Sequence, residues 1–444
     1  MTIMGIMTWL LISIIVIMVS ILILKFNPTI GLIFGSLVMG WGCGMSLLET
    51  VNTIGAGFGN LMAGIGLAIG LGVILGQLLE ECGGARVIAE TLVRKASDKY
   101  ALYAIGGAGF LLSIPVFFDI TFIILAPLTV ELSKQLKKPL PYAVGAVTIS
   151  AAAAHTLVPP TPNPLAAASI LHFDLGIMMI AGLTVGSILS FLSMKIYFKL
   201  LDHGFWNKEE DETGVLQLGD PAPLPKGAPC FGAALLPLLL PVVCIILSTV
   251  SDMLGIKLQL ITFLSNRIIA MLIGTVAAYV IAVRALKGKG LEKSASKALE
   301  ASGVVLLITG ASGSFGAVIS KTGFADIVKT SLGGITASPL ILIFTGFGLA
   351  VLFRVALGSG TVASITSMNI MAGVSAGATI HPVFIALSCL AGGISIGHVN
   401  DSGYWVVTNM SGYTIKGGLK SYTLGGIFIA FFTMIVCVAA ALVA

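Results

Sequence analysis

The sequence predicts an all-α polytopic membrane protein made of two inverted-topology repeats, and three observations predict it. The 444-residue chain is 57% hydrophobic and only 10% charged, where a soluble domain carries about 25% charged residues. Its mean hydropathy is +1.06, and apolar runs of about 20 residues, enough to cross a hydrocarbon core of about 30 Å, recur from end to end. Third, the two halves echo each other at a spacing of about 240 residues. The net charge of +5 fits the inside-positive bias of membrane loops and argues against a nucleic-acid partner. Cys43, Cys82, Cys230, Cys244, Cys389 and Cys437 show neither paired nor metal-ligand spacing, so no disulfide framework, metal or cofactor is expected.

Candidate spans in order are 6–24, 29–48, 61–79, 100–130, 141–170, 175–198, 231–251, 263–283, 301–319, 338–372, 381–402 and 423–444. The first lacks a basic n-region and a small-residue cleavage site, so it reads as a retained span and not a signal peptide. Two segments are too long for one crossing, since 100–130 would reach about 46 Å as a helix. Each is interrupted: "SIPVFFD" (113–119) by a proline and an aspartate, "RVALGSGT" (354–361) by an arginine and two glycines. Each is either one broken helix or a re-entrant hairpin of two half-helices.

The positive-inside rule separates these. With two hairpins and Lys25 inside, nineteen basic residues fall inside and only Lys257, Arg267, Lys321 and Lys329 outside, Arg354 being embedded. With two single crossings the split is 11 to 12. The preferred arrangement has about ten crossings, two hairpins and both termini outside. Residues 1–198 then form a first repeat, 199–230 an exposed cytoplasmic linker, and 231–444 a second repeat.

The echo is specific. Gly70 and Gly76 in "LAIGLGVILGQLL" match Gly310 and Gly316 in "LLITGASGSFGAV". "GGARVIAETL" (83–92) answers "TGFADIVKTSL" (322–332), Pro115 answers Arg354, and His155 answers His398. Five crossings is an odd number, so the second half is inverted. Inverted repeats with discontinuous helices are a signature of secondary transporters. "GASGSFG" (310–316) lacks the strand and the GK[ST] ending of a phosphate loop, and reads as close helix packing.

Few ionisable groups remain at membrane depth: Asp119, His155, Arg354, His398 and Asp401, with His381 at a span edge. Each is costly there if charged and unpaired. The first five all sit at a glycine, proline or small-residue break, where freed backbone groups are tolerated only if they line a cavity. Arg354 either grips a substrate carboxylate, with Gly358, Ser359, Gly360 and Thr361 extending an anion pocket, or pairs internally with Asp119 or Asp401. Asp119 either carries a proton or is that counter-ion. "GHVNDSGYW" (397–405) offers His398, Asn400, Asp401 and Ser402 to a polyol, and His398 and Asp401 are further proton carriers. "HTLVPPTPNP" (155–164) is its first-half partner, with His155, Thr161 and Asn163. No H-E-x-x-H or C-x-x-C occurs, so an enzyme is not expected.

The blocks "CGGARVIAETL" (82–92), "IPVFFDITFIILAPL" (114–128), "HTLVPPTPNPLAAA" (155–168), "RVALGSGTVASIT" (354–366) and "GHVNDSGYWVV" (397–407) resemble the gluconate permease family. That family comprises proton-coupled importers of gluconate and related sugar acids, includes a D-serine permease, and belongs to a larger ion-transporter superfamily. Thr161 and Asn163 stand where its members usually read histidine and glycine, and Asp119 where many carry glutamate. The resemblance implies a bacterial inner-membrane location, a moving transport domain against a scaffold, and an architecture often found as dimers, which leaves a homodimer open.

The expected function is proton-coupled symport of gluconate or a related small monocarboxylate. Arg354, Gly358, Ser359, Gly360 and Thr361, with Thr161, Asn163, Asn400 and Ser402, are the substrate candidates. Asp119, His155, His398 and Asp401 are the proton candidates. The alternatives are a sodium-coupled or D-serine-like permease and, in another class, a passive anion channel.

Overall fold

The computed structural model describes residues 3–214, 223–256, 258–323, 338–375 and 377–444. Among these the chain is helical throughout, without a strand, apart from one isolated bridge between Glu212 and Tyr413. Eight stretches of the described residues are long and apolar enough to cross a membrane. Lys257, Lys329 and most of the 322–332 echo lie outside the described residues.

The first half opens with α1 (Ile3–Leu22), α2 (Pro28–Gly42) and α3 (Leu47–Glu81). Their starts are set locally. Asn27 accepts a hydrogen bond from the Thr29 N–H at 2.9 Å just before Pro28, and Ser46 accepts one from Glu49 at 3.1 Å; both satisfy amides that an exposed helix start leaves unpaired. α3 is far longer than the 61–79 segment read from hydropathy. Its 35 residues reach about 52 Å, beyond a hydrocarbon core of about 30 Å. Then follow α4 (Gly84–Lys95), α5 (Ala101–Leu112), α6 (Phe118–Leu136), α7 (Leu140–Leu157), α8 (Pro162–Ile170), α9 (Leu175–Asp202) and the single turn α10 (Lys208–Asp211).

α5 and α6 form a re-entrant hairpin. Tyr103, near the start of α5, and Tyr142, just past the end of α6, both pack on Phe198 of α9, with ring centroids 5.4 and 5.6 Å away. The segment therefore leaves and returns to the same end of α9. A Cβ on Gly109 of α5 would meet Leu125 of α6 at 3.6 Å, as expected of two antiparallel arms.

The second half contains α11 (Phe231–Met253), the short α12 (Gln259–Leu264) and α13 (Arg267–Lys321). The predicted spans 263–283 and 301–319 lie in two separate arms of α13, one on each side of a break at Lys287. The chain reverses direction at Lys287, whose φ of 57° and ψ of 176° break the helix. α3 reveals the reversal. Along its length, Ser314 donates to the Ile54 carbonyl, while Ser294 and Lys297 bond Glu81. Arg267 donates to the Gly64 carbonyl and Thr275 to that of Leu71. One arm of α13 descends as α3 rises, and the other rises with it. Small residues permit the approach: a Cβ on Gly57 would lie 2.5 Å from Ala317, and one on Gly310 would lie 2.2 Å from the Phe58 ring.

α14 (Pro339–Leu357) and α15 (Gly360–Val374) make the second hairpin. Gly346 faces Met371, with a built Cβ 3.5 Å from its Cγ, so the arms are antiparallel about Gly358 and Ser359. Next come α16 (Pro382–Ser395), α17 (Ser402–Met410), the turn α18 (Ile415–Gly418), a π-helical turn (Leu419–Thr423) and α19 (Leu424–Val443). The two broken helices are α7–α8, interrupted at residues 158–161, and α16–α17, interrupted at 396–401. α9 runs hard against the first break, where a Cβ on Gly182 would be 2.1 Å from the Leu157 carbonyl oxygen.

The segment joining the halves is not simply exposed. Asp211 is completely buried. Its charge is paired with Lys420 at 2.6 Å, and the neighbouring Glu210 pairs with Lys416. Electrostatics therefore holds residues that composition alone assigns to solvent.

Candidate functional site

Both hairpin tips and both helix breaks meet at one cavity of about 600 Å³. Its wall holds Asp119 from hairpin 1, His155 and Asn163 from the first broken helix, and Arg354 with Gly358, Ser359, Gly360 and Thr361 from hairpin 2. Asn400, Asp401 and Ser402 come from the second broken helix. Residues as far apart in sequence as Asp119 and Ser402 thus share one chamber because each sits where its helix stops. Thr161 and His398 do not line it. Thr161 is buried and donates to the Val158 carbonyl at 2.8 Å, closing the turn before α8. His398 is half-buried, and its carbonyl accepts from Asp401 at 2.9 Å.

Arg354 lies at the centre. Its Nη1 donates to the Gly358 carbonyl at 2.7 Å, and its Nη2 is paired with Asp401. Of the two internal counter-ions that the sequence leaves open, Asp401 is therefore the one used. Asp401 accepts three ways: Oδ2 from Arg354 and from the Tyr422 hydroxyl at 2.5 Å, Oδ1 from the Gly403 N–H at 3.0 Å. That last bond also caps α17. The planar guanidinium suits such fixed partners.

Asp119 is differently placed. Among the described residues, its carboxylate accepts one hydrogen bond, from Ser402 at 3.4 Å. Among the described residues, the chamber therefore holds one permanent cation and two carboxylates, of which Asp401 is ion-paired. Several buried polar atoms at or beside the wall have no partner among the described residues: Arg354 Nε, His155 Nδ1, Asn163 Oδ1 and Ser364 Oγ. Ser364 stands directly behind Gly393 of the wall, 2.0 Å from a Cβ built there. Buried polar groups are rarely left so. Both donors and acceptors are on offer to a polar guest. The N-terminal ends of α6, α8, α15 and α17 all contribute wall residues, and helix N-termini carry partial positive charge.

Sequence reasoning did not find Tyr422. Its hydroxyl bridges Asp401 and Arg354, the latter at 3.4 Å, and its ring meets Phe118 edge-on at 5.6 Å. It sits in "GLKSYT", where neighbouring lysines mark a loop. The apolar wall from Ala301, Val304 and Ile308 of α13 was equally invisible, since such residues are ordinary in a span.

Comparison with known proteins follows the same lines. Two solved transporters share the fold. The YdaH transporter of Alcanivorax borkumensis aligns with TM-score 0.67 at 14% identity, over 92% of this chain and 96% of its own. MtrF of Neisseria gonorrhoeae aligns with TM-score 0.57 at 14% identity, over 89% and 85%. In sequence the chain is 32% identical to the inner membrane permease YgbN of Escherichia coli over 92% of this chain and 93% of that one. It is 29% identical to a gluconate permease of Bacillus licheniformis over 93% and 94%, and 30% identical to the D-serine transporter DsdX of E. coli over 93% of each. The sequence profile of the GntP family permeases matches residues 5–443, so the chain belongs to that family and is a multi-pass membrane permease, not an enzyme.

Proposed function

We propose that the protein is a proton-coupled symporter of gluconate or a closely related sugar acid in the bacterial inner membrane. Relatives named as gluconate permeases and as an inner membrane permease support the substrate class and the location. The observation that carries the coupling is the charge balance of the cavity. Arg354 and Asp401 neutralise each other, and Asp119 faces the same space without an ion-pair partner among the described residues. An anionic substrate entering beside an ionised Asp119 meets like-charge repulsion in a poorly screened chamber. A proton on Asp119 removes that repulsion, so acid and proton are best admitted together. His155, whose Nδ1 is unpartnered, is the second candidate carrier.

In this reading the carboxylate lies against Arg354 Nε and the amides of Gly360 and Thr361 at the start of α15. Asn163, Asn400, Ser402 and Ser359 meet the hydroxyls. The two halves act as inverted repeats whose hairpins enter from opposite faces, and closure of their tips seals the cavity before it opens to the other side. The test is uptake of labelled gluconate into proteoliposomes under an imposed inward proton gradient. Accumulation that a protonophore abolishes is expected. Uptake that only equilibrates, or that follows sodium instead of protons, overturns the coupling.

One observation favours a second substrate reading. A chamber with a guanidinium on one side and an unpaired carboxylate on the other also suits a zwitterion, and a relative of 30% identity is named a D-serine transporter. Competition of gluconate uptake by D-serine separates the two.

A further inference from the structure

The segment between the halves meets the π-helical turn Leu419–Thr423, which carries Tyr422. Lys420 Nζ donates to Asp211 Oδ2 at 2.6 Å and to the Phe205 carbonyl at 2.7 Å. Asp211 is fully buried and Lys420 is 17% exposed, so this is a desolvated pair and not a surface contact. The Asp211 carboxylate also accepts from the Asn207 N–H at 2.8 Å, which ties the turn α10 to the pair. Around it, Thr213 bonds the Gly412 carbonyl and Thr414 bonds that of Glu210. Trp206 meets Tyr413 at 4.7 Å between ring centroids. Residues 205–213 are therefore clamped onto 411–420.

Two residues after Lys420, Tyr422 reaches into the cavity and donates to Asp401. The turn between them has little freedom. Gly418 lies against Thr408 and Tyr404, where a Cβ would be 2.3 and 2.8 Å from their side chains. Thr423, on its other side, bonds the Gly397 carbonyl in the break of α16–α17. π-helical turns cluster at functional sites because the extra residue re-aims side chains.

We propose that Asp211 and Lys420 are positioning residues for the substrate site: their ion pair fixes the π-helical turn, and through it the Tyr422 hydroxyl that braces Asp401 and Arg354. A transport readout of this proposal rests on the sugar-acid reading above; a hydrogen-exchange readout does not. Both are measured on the full-length protein. In proteoliposomes, Lys420→Met and Asp211→Asn raise the KM for gluconate about tenfold, and Lys420→Arg, which keeps the pair, stays within about twofold of the parent. Tyr422→Phe raises KM similarly, and the Lys420→Met/Tyr422→Phe double variant is no worse than either alone, because both act by one route. Independently, in detergent without substrate, Lys420→Met speeds amide exchange at residues 398–403 about tenfold while the cores of α3 and α13 are unchanged. An unchanged KM, full additivity with Tyr422→Phe, or unchanged exchange at 398–403 overturns the proposal. A parent protein that takes up no sugar acid overturns only the substrate reading, and the exchange measurement still decides this one.

Discussion

At the residue scale, the cavity is organised by one arginine that spends its two outer nitrogens on the protein itself. Arg354→Lys supplies one point charge where two directed donors are needed, for the Gly358 carbonyl and for Asp401. Gluconate affinity is expected to fall at least tenfold, read by isothermal titration on purified protein. Asp401→Ala leaves that guanidinium buried and unpaired, at a cost of about 3–5 kcal/mol, which thermal unfolding in detergent will register as a clear loss of stability. Asp119→Asn removes a titrating group but no ion pair. Exchange of labelled for unlabelled gluconate should persist while accumulation against a gradient is lost. Asp119, Arg354 and Asp401 were legible in the sequence because charge is costly in hydrocarbon and must have a reason to be there. The choice of Asp401 over Asp119 as the arginine's partner was not legible, because it depends on how two helix ends approach. Nor was Tyr422, since a tyrosine beside lysines at a span edge is ordinary in any membrane protein.

At the element scale, the site exists because four helices stop at the middle of the structure. Gly358 shows why hairpin 2 can turn there. Its φ is 73°, and a Cβ would stand 2.1 Å from the Asn400 carbonyl oxygen. Gly358→Ala is therefore doubly disfavoured, by backbone and by contact. Near-complete loss of uptake with normal membrane insertion is expected, checked by transport alongside size-exclusion of the solubilised protein. Prolines and glycines inside apolar runs disclosed these interruptions, since each removes a backbone bond or relaxes φ. The reversal at Lys287 falls within the inside loop expected between 263–283 and 301–319, but how brief the break is could not be read from the sequence. "RALKGKG" reads as a loop by charge and glycine content, yet the helix resumes at once because α3 offers both arms a face to pack on. The docking of residues 205–214 was hidden for a related reason: acidic residues look solvated until their lysine partners, some 200 positions later, are brought to them.

At the scale of the whole molecule, the two hairpins make a topological prediction. In a cysteine-depleted background, Lys99→Cys and Lys138→Cys flank hairpin 1, and both should react with impermeant maleimide from one face only. Ser338→Cys and Thr379→Cys flank hairpin 2 and should react only from the other. Labelling of the members of either pair from different faces would mean single crossings instead of hairpins. A last consequence comes from α3, which lies in the fork formed by the two arms of α13. The forked grip is made entirely of non-covalent contacts between a helix before residue 199 and one after residue 230. Continuity of the polypeptide is then unnecessary for the partners to recognise each other. Two co-expressed fragments, 1–214 and 223–444, are expected to co-purify as a complementing pair, much as separately encoded subunits would.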